Sequence, residues 1–512
     1  MKQIFLLCLI LLAALGPATA QKTGDKCSGV PYVSPPLNPN PTNVPLTPDS
    51  PPPPETTPPI EGYRGIYWVH GLGGDTGSWG QAADATDGTY QGIFGPVAGF
   101  PIRKAKCVLL SYQETVSLAN AAGALLTGIN NAEGQVDDVV DDFSNNFIIA
   151  HSQGGFVSRA VEKLLDDTLR KRQHYGVVTF GSPHKGAKII NSRNEGRIME
   201  WLSDGCAYMI DAKVKDFLQH KPILAFFIDT DPITTQIENT CNFVSNFGLP
   251  FALDGLFTAV SNSYAIDSPA VTILNAHNNP HTRKVAFYGV EHNGKTDGLD
   301  ADFDPTDDQY VAKQAVWRLA SSKRANVSSL PPFGADGDQD MVDKANQITM
   351  ELYGKYQEAR QDAFNVPCIF FGIFDCIGAH LDAAEAYHRA YQWFNGADYV
   401  WKFLIGHRSY GVDPNGTGYC NGGPSHLDSY TMTQTQCGIA QGTWYPNTAL
   451  IIKPSDGVVL AESAKTWPGV NAVGEPMKGS NHFQMRNDPQ LKLRLKELYN
   501  GDVDDWFRLE EQ

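Results

Sequence analysis

Phe147-Ile148-Ile149-Ala150-His151-Ser152-Gln153-Gly154-Gly155 carries an apolar run straight into a serine followed by small residues. Such a run reads as a buried strand, and the serine as a tight turn that opens a helix. A serine hydroxyl is a weak nucleophile until a turn of this kind presents it to a base and to backbone N–H groups. Gly154 and Gly155 leave room for the turn, and Ala150 stands where the pattern G-x-S-x-G has its first glycine. The plainer reading is a serine that merely starts a helix. It explains neither the glycines nor the apolar strand before them.

Working outward, Gly65-Ile66-Tyr67-Trp68-Val69 reads as a second buried strand, ending in His70-Gly71-Leu72-Gly73-Gly74. The glycines bring backbone close to a ligand, so the N–H groups of Leu72 and Gln153 are the candidate donors of an oxyanion hole. Downstream, Ala449-Leu450-Ile451-Ile452 leads to Ser455-Asp456-Gly457-Val458-Val459, and Gly479-Ser480-Asn481-His482 follows. Serine, aspartate and histidine in that chain order distinguish this arrangement from the trypsin-like and subtilisin-like ones. Asp297, in Lys295-Thr296-Asp297-Gly298-Leu299, is the alternative acid, because it too follows an apolar strand, Val285 to Gly289. Asp456 is preferred, since His482 follows it closely and no comparable histidine follows Asp297. His70, His151 and His184 flank these motifs and read as loop braces.

These residues resemble those of secreted lipases and esterases of the α/β-hydrolase superfamily. The His70 loop and Ala150-His151-Ser152-Gln153-Gly154 are similar to the small bacterial lipases, in which alanine also replaces the first elbow glycine. Phe180-Gly181-Ser182-Pro183-His184-Lys185-Gly186-Ala187 resembles the G-[ST]-P-H-x-G loop of many lipases and of GPI-inositol-deacylase-like hydrolases. The motifs lie within residues 62–190 and 445–490, less than half of the chain. The resemblance implies an α/β-hydrolase fold, a mostly parallel sheet flanked by helices. It implies Ser152 as nucleophile, His482 as base, Asp456 as acid and the Leu72 and Gln153 amides as oxyanion donors. It also implies a hydrophobic ester or lipid substrate and chemistry that needs no metal or organic cofactor. The alternatives are an amidase, a deacylase of a glycolipid anchor, or a non-catalytic binding module on a hydrolase scaffold.

Composition divides the chain. Residues 1–20 combine Lys2, the apolar run Ile4 to Leu15 and Ala18-Thr19-Ala20, the pattern of a secretory signal peptide cleaved before Gln21. Residues 21–60 form a proline-rich linker: 13 of the 29 residues from Pro31 to Pro59 are proline, which favours an extended tether. Residues 61–190 are the first part of the core, and 191–445 a large, mainly helical insertion that caps the site and contains some core strands. Residues 446–512 return to the core with the acid and base. The expectation is a protein exported to the periplasm, medium or cell surface; the Ile4 to Leu15 run is too short for a typical membrane span, and no other segment reaches the roughly 18 apolar residues one needs. Without Cys8 eight cysteines remain, an even number suited to disulfides. Local pairing would join Cys206 with Cys241, Cys368 with Cys376 and Cys420 with Cys437, leaving Cys27 with Cys107. A net charge of −16 argues against nucleic acid or anionic membranes as partners. The acidic clusters Asp297 to Asp308 and Asp336 to Asp340 read as solvated loops, with a structural calcium as the alternative.

Overall fold

The computed structural model describes residues 32–33, 63–72, 74, 78–79, 104–110, 112, 116–134, 147–167, 176–220, 259–279, 282–292, 304–307, 310–324, 340–365, 373–413, 418–421, 433–439, 442–470, 472–473, 476–488, 491, 494–495 and 498. Strands β1 (Tyr32–Val33), β2 (Tyr63–Val69), β3 (Lys104–Leu110), β4 (Phe147–His151), β5 (Gly176–Phe180) and β6 (Arg283–Phe287) join Ala472–Val473 in one seven-stranded sheet. Its order is β1-β3-β2-β4-β5-β6 and then Ala472–Val473, and every pairing is parallel. Unbroken apolar runs produce this: β4 and β5 are buried at every position, as strands covered on both faces must be.

Parallel neighbours require crossovers, and helices supply them. Tyr67, Val69, Ile148, Ala150 and Val177 pack with Ala121, Leu125 and Ile129 of α1 (Leu118–Gly134) and Val157 and Val161 of α2 (Gln153–Asp167). Among the neighbouring strand positions, Trp68 meets Trp79 edge-on at 4.9 Å and Phe180 stacks on Phe287 at 5.0 Å. A buried ion pair, Glu162 Oε1 to Lys284 Nζ at 2.9 Å, ties α2 to β6. The fold is a parallel sheet flanked by helices, as expected, with a helical region added to it. Tyr32 and Val33, inside the proline-rich segment, pair with Val108 and Leu109 at the sheet edge; the rest of residues 1–60 lies outside the described residues, the signal-peptide reading included.

The described helices of the 191–445 region include α3 (Lys188–Asn194), α4 (Arg197–His220), α5 (Ala259–Asn262), α6 (Pro269–Ala276), α7 (Ala315–Arg324), α8 (Asp340–Asn365) and α9 (Ile373–Leu404). The sequence pattern of amphipathic helices covers Met341 to Phe364 and Asp382 to Phe403; α8 matches the first closely, while α9 starts well before Asp382. Trp201, Trp317, Trp393, Phe394 and Trp401 fill the space between these helices, with Trp201 stacked on Trp393 at 5.3 Å and Trp317 on Phe394 at 5.8 Å. Leu72, Val458 and Phe483 pack against this same cluster, so the helical region adjoins the candidate site.

The chain leaves the sheet region after Gly289–Val290, which pairs with Met477–Lys478, and comes back beside its point of departure. The Glu291 N–H donates to the Ser455 carbonyl at 2.9 Å. Helices α7 to α9 lie in between. Thr448–Ile452 does not enter the main sheet: it pairs antiparallel with Arg408–Val412. Cys420 and Cys437 are bonded to each other, and Cys206 is disulfide-bonded. Its expected partner Cys241, and the side chains of the other expected pairs, lie outside the described residues. Among the described residues no helix is long and apolar enough to cross a membrane.

Candidate active site

Val69 and Ala150 are direct neighbours in the ladder of β2 and β4, so the loops that follow them leave the sheet together. Ser152 comes immediately after β4 with φ of 53°. For a residue bearing a side chain this left-handed conformation costs about 1–3 kcal/mol and persists only where the surroundings enforce it. Here the Ser152 N–H donates to the Phe180 carbonyl at 2.8 Å, and α2 starts at the next residue. Gly71 passes directly over the turn: a Cβ there would lie 2.8 Å from Ser152 Cβ and 2.7 Å from His151 Nδ1. The Gly74 N–H closes back on the Gly71 carbonyl at 3.1 Å, which places Leu72 at the corner of a half-buried turn. Gln153 is the first residue of α2, where N–H groups have no intrahelical acceptor.

The second side of the site comes from two turns. Asp456 Oδ2 lies 2.8 Å from His482 Nδ1, and His482 Nε2 lies 2.9 Å from Ser152 Oγ. The other carboxylate oxygen, Oδ1, accepts the N–H groups of Val458 and Val459 at 3.0 and 2.7 Å, which fixes the plane of the carboxylate. The His482 N–H donates to the Asp456 carbonyl at 2.8 Å, so the two residues are joined through their main chains as well. All three side chains are buried. Gly289 lets the turns meet, because a Cβ there would lie 2.7 Å from the Ser480 carbonyl oxygen and 2.9 Å from Asp456 Cβ. Asp297 lies outside the described residues.

Several supports of this site have no signal in the sequence. Trp401 Nε1 in α9 donates to the Gly457 carbonyl at 2.8 Å, and Asn481 Nδ2 donates to Ser322 Oγ of α7 at 2.7 Å. His407 Nδ1 lies 3.1 Å from Ser455 Oγ, and burial pushes the His407 pKa down to about 3, with Lys402 and Arg408 adding to the shift. Gln153 is clamped through its side chain, which donates to Tyr112 Oη at 3.1 Å and accepts from Tyr264 Oη at 3.0 Å. The flanking histidines brace loops. His70 stacks on Tyr112 at 4.6 Å, with its Nδ1 2.8 Å from the Gly71 carbonyl. His184 lies 2.9 Å from Thr179 Oγ1 and stacks on Trp467 at 4.7 Å. Burial, with Arg159 and Lys284 nearby, holds the His184 imidazole well below its ordinary pKa.

Among the described residues no group of three or more His, Cys, Asp or Glu side chains is arranged to hold a metal ion. Asp304 and Asp307 of the first acidic cluster are described; most of both clusters is not.

No protein-family model and no curated protein sequence matches the chain. Solved structures similar to part of it include the phospholipase PlaB from Legionella pneumophila, at 12% identity over 44% of this chain and 40% of that one, with a TM-score of 0.26. The lipase BlEst2 from Bacillus licheniformis aligns at 15% identity over 46% of this chain and 69% of its own, with a TM-score of 0.25. Lipase 1 from Pelosinus fermentans aligns at 14% identity over 54% and 79%, also at 0.25. The chain thus spans about two fifths of the length of the Legionella phospholipase.

Proposed function

We propose that the protein is a serine hydrolase that cleaves carboxylic esters of lipid or other hydrophobic character. One observation carries the reading: a single buried imidazole lies 2.9 Å from Ser152 Oγ through one nitrogen and 2.8 Å from Asp456 Oδ2 through the other. The carboxylate is an acceptor, so it orients His482 with its proton on Nδ1 and its lone pair on Nε2 towards the serine. His482 then takes the Ser152 proton as Oγ attacks the ester carbonyl, and passes it to the leaving alcohol. The resulting acyl-enzyme is released by water, which His482 deprotonates in turn. The Leu72 and Gln153 N–H groups serve the oxyanion formed in each half. Leu72, Val458 and Phe483 provide apolar surface next to these atoms, which favours a hydrophobic substrate.

Turnover of p-nitrophenyl esters over a short-to-long acyl series, with Ser152→Ala beside the native chain, tests the proposal. The substitution should remove roughly 10⁵–10⁶ of kcat. Equal rates in the two proteins would defeat the reading, and turnover of matched amides alone would shift it to an amidase. Export belongs to the same proposal, supported by the composition of residues 1–20 and by the bonded Cys420 and Cys437. A chain that starts at Gln21 outside the cell is the expected result.

A further inference from the structure

We propose that His151 is a positioning residue of this site: by donating from Nε2 to the His482 carbonyl, it sets the reach of the base to the nucleophile. The inference rests on the assignment of Ser152 and His482 given above.

His151 is the last residue of β4 and directly precedes Ser152. Its Nε2 lies 2.8 Å from the His482 carbonyl oxygen, and the two rings stand 4.7 Å apart at 47°. A carbonyl only accepts, so the hydrogen is on Nε2. His482 sits in a turn, where no ladder fixes it. Its main chain is instead held at both ends by residues tied to its side-chain partners. The N–H is bound by Asp456 itself, and the C=O by the neighbour of Ser152. A shift of the His482 main chain therefore changes the Nε2–Oγ distance unless β4 moves too.

Chemistry explains why the donor is an imidazole that stays neutral. His482 becomes a cation during the reaction, and a second cation so close would oppose it. His151 Nδ1 is buried beside Gly71 and has no hydrogen-bond partner among the described residues. Burial, then the charges of His482, Arg486 and His70, hold its pKa well below the ordinary histidine value. Trp79 packs edge-on against its ring at 6.3 Å. The result is a donor that steadies the base and adds no charge.

The reaction of Ser152 with a fluorophosphonate isolates the first chemical step. His151→Leu should slow it and lower kcat by about 10- to 100-fold, as misplacement of a reacting group does, with KM changed by less than about threefold. His151→Gln carries an amide N–H that reaches nearly the same point and should restore most of the rate. The acid limb of kcat/KM against pH should stay in place in the glutamine variant. His151→Asn, too short to reach the carbonyl, takes the place of the leucine variant if that protein does not fold. A leucine variant with a lower melting temperature but a native phosphonylation rate would overturn the inference. So would a glutamine variant as slow as leucine. A native chain inert to the fluorophosphonate would instead overturn the hydrolase reading, which keeps the two failures apart.

Discussion

On one side of the site, Ser152 and the Gly71–Leu72 turn leave the ends of two adjacent parallel strands, and the backbone ladder of β2 and β4 places them. On the other side, Asp456 and His482 stand on turns that combine main-chain bonds, such as Glu291 to Ser455 and His482 to Asp456, with contacts from distant side chains: Trp401 to Gly457, Asn481 to Ser322, His407 to Ser455. The ladder is redundant, since each residue is fixed by its neighbours' bonds as well as its own. The turns draw part of their support from side chains far along the chain. The difference teaches that α7 and α9 take part in holding the candidate site through Ser322 and Trp401.

Four substitutions sharpen or break this contrast. The largest effect should come from Asp456→Asn, which keeps the shape but removes the charge and inverts the tautomer of His482. A loss of about 10⁴ in kcat is expected, read from steady-state ester hydrolysis. Trp401→Phe tests the insertion as a support: it leaves the Gly457 carbonyl buried without its donor, at a cost of about 1–3 kcal/mol in stability. Thermal unfolding should report that loss and ester turnover should fall about tenfold; native turnover in a destabilised protein would break the contrast.

His407→Asn concerns pH. His407 is held neutral in the folded protein, with a pKa of about 3, against roughly 6.5 when unfolded. Its contribution is therefore full above about 6.5 and lost as pH falls towards 3, because the unfolded chain takes up the proton first. Asparagine keeps an amide near Nδ1 and cannot titrate, so the melting temperature of the variant should fall less steeply with acid. The smallest effect should come from Tyr112→Phe on the strand side. It removes the hydroxyl that donates to the His70 carbonyl and accepts from Gln153, yet kcat should change by less than about threefold if the ladder does the positioning. A tenfold loss would place both sides on the same footing.

The same contrast decides what could be read from sequence. The strand side is local chemistry: an apolar run, a serine, two glycines and the His70 loop are each contiguous, and their spacing announces strand, turn and helix. The Asp456-Gly457 turn and His482 are also short motifs, and Asp456 was separable from Asp297 only by the histidine that follows it. What joins them was not legible. Trp401 is one of several aromatics in α9, and no periodicity distinguishes the indole that reaches a carbonyl from those that only fill the core. Ala449 to Ile452 reads as a strand and is one, but its partner is Arg408–Val412, because pairing across a long insertion leaves no trace in either segment.

The hydrogen bond between Glu291 and Ser455 bears on the order in which the molecule assembles. Closing an unstructured excursion costs entropy that rises as about (3/2)RT ln n with its length, and such long-range contacts slow folding. Once α7 to α9 have packed, however, both ends of the excursion emerge side by side and the sheet meets them as a tight turn. A helical region that packed early would thus shorten the search by which Asp456 finds β6 and β4.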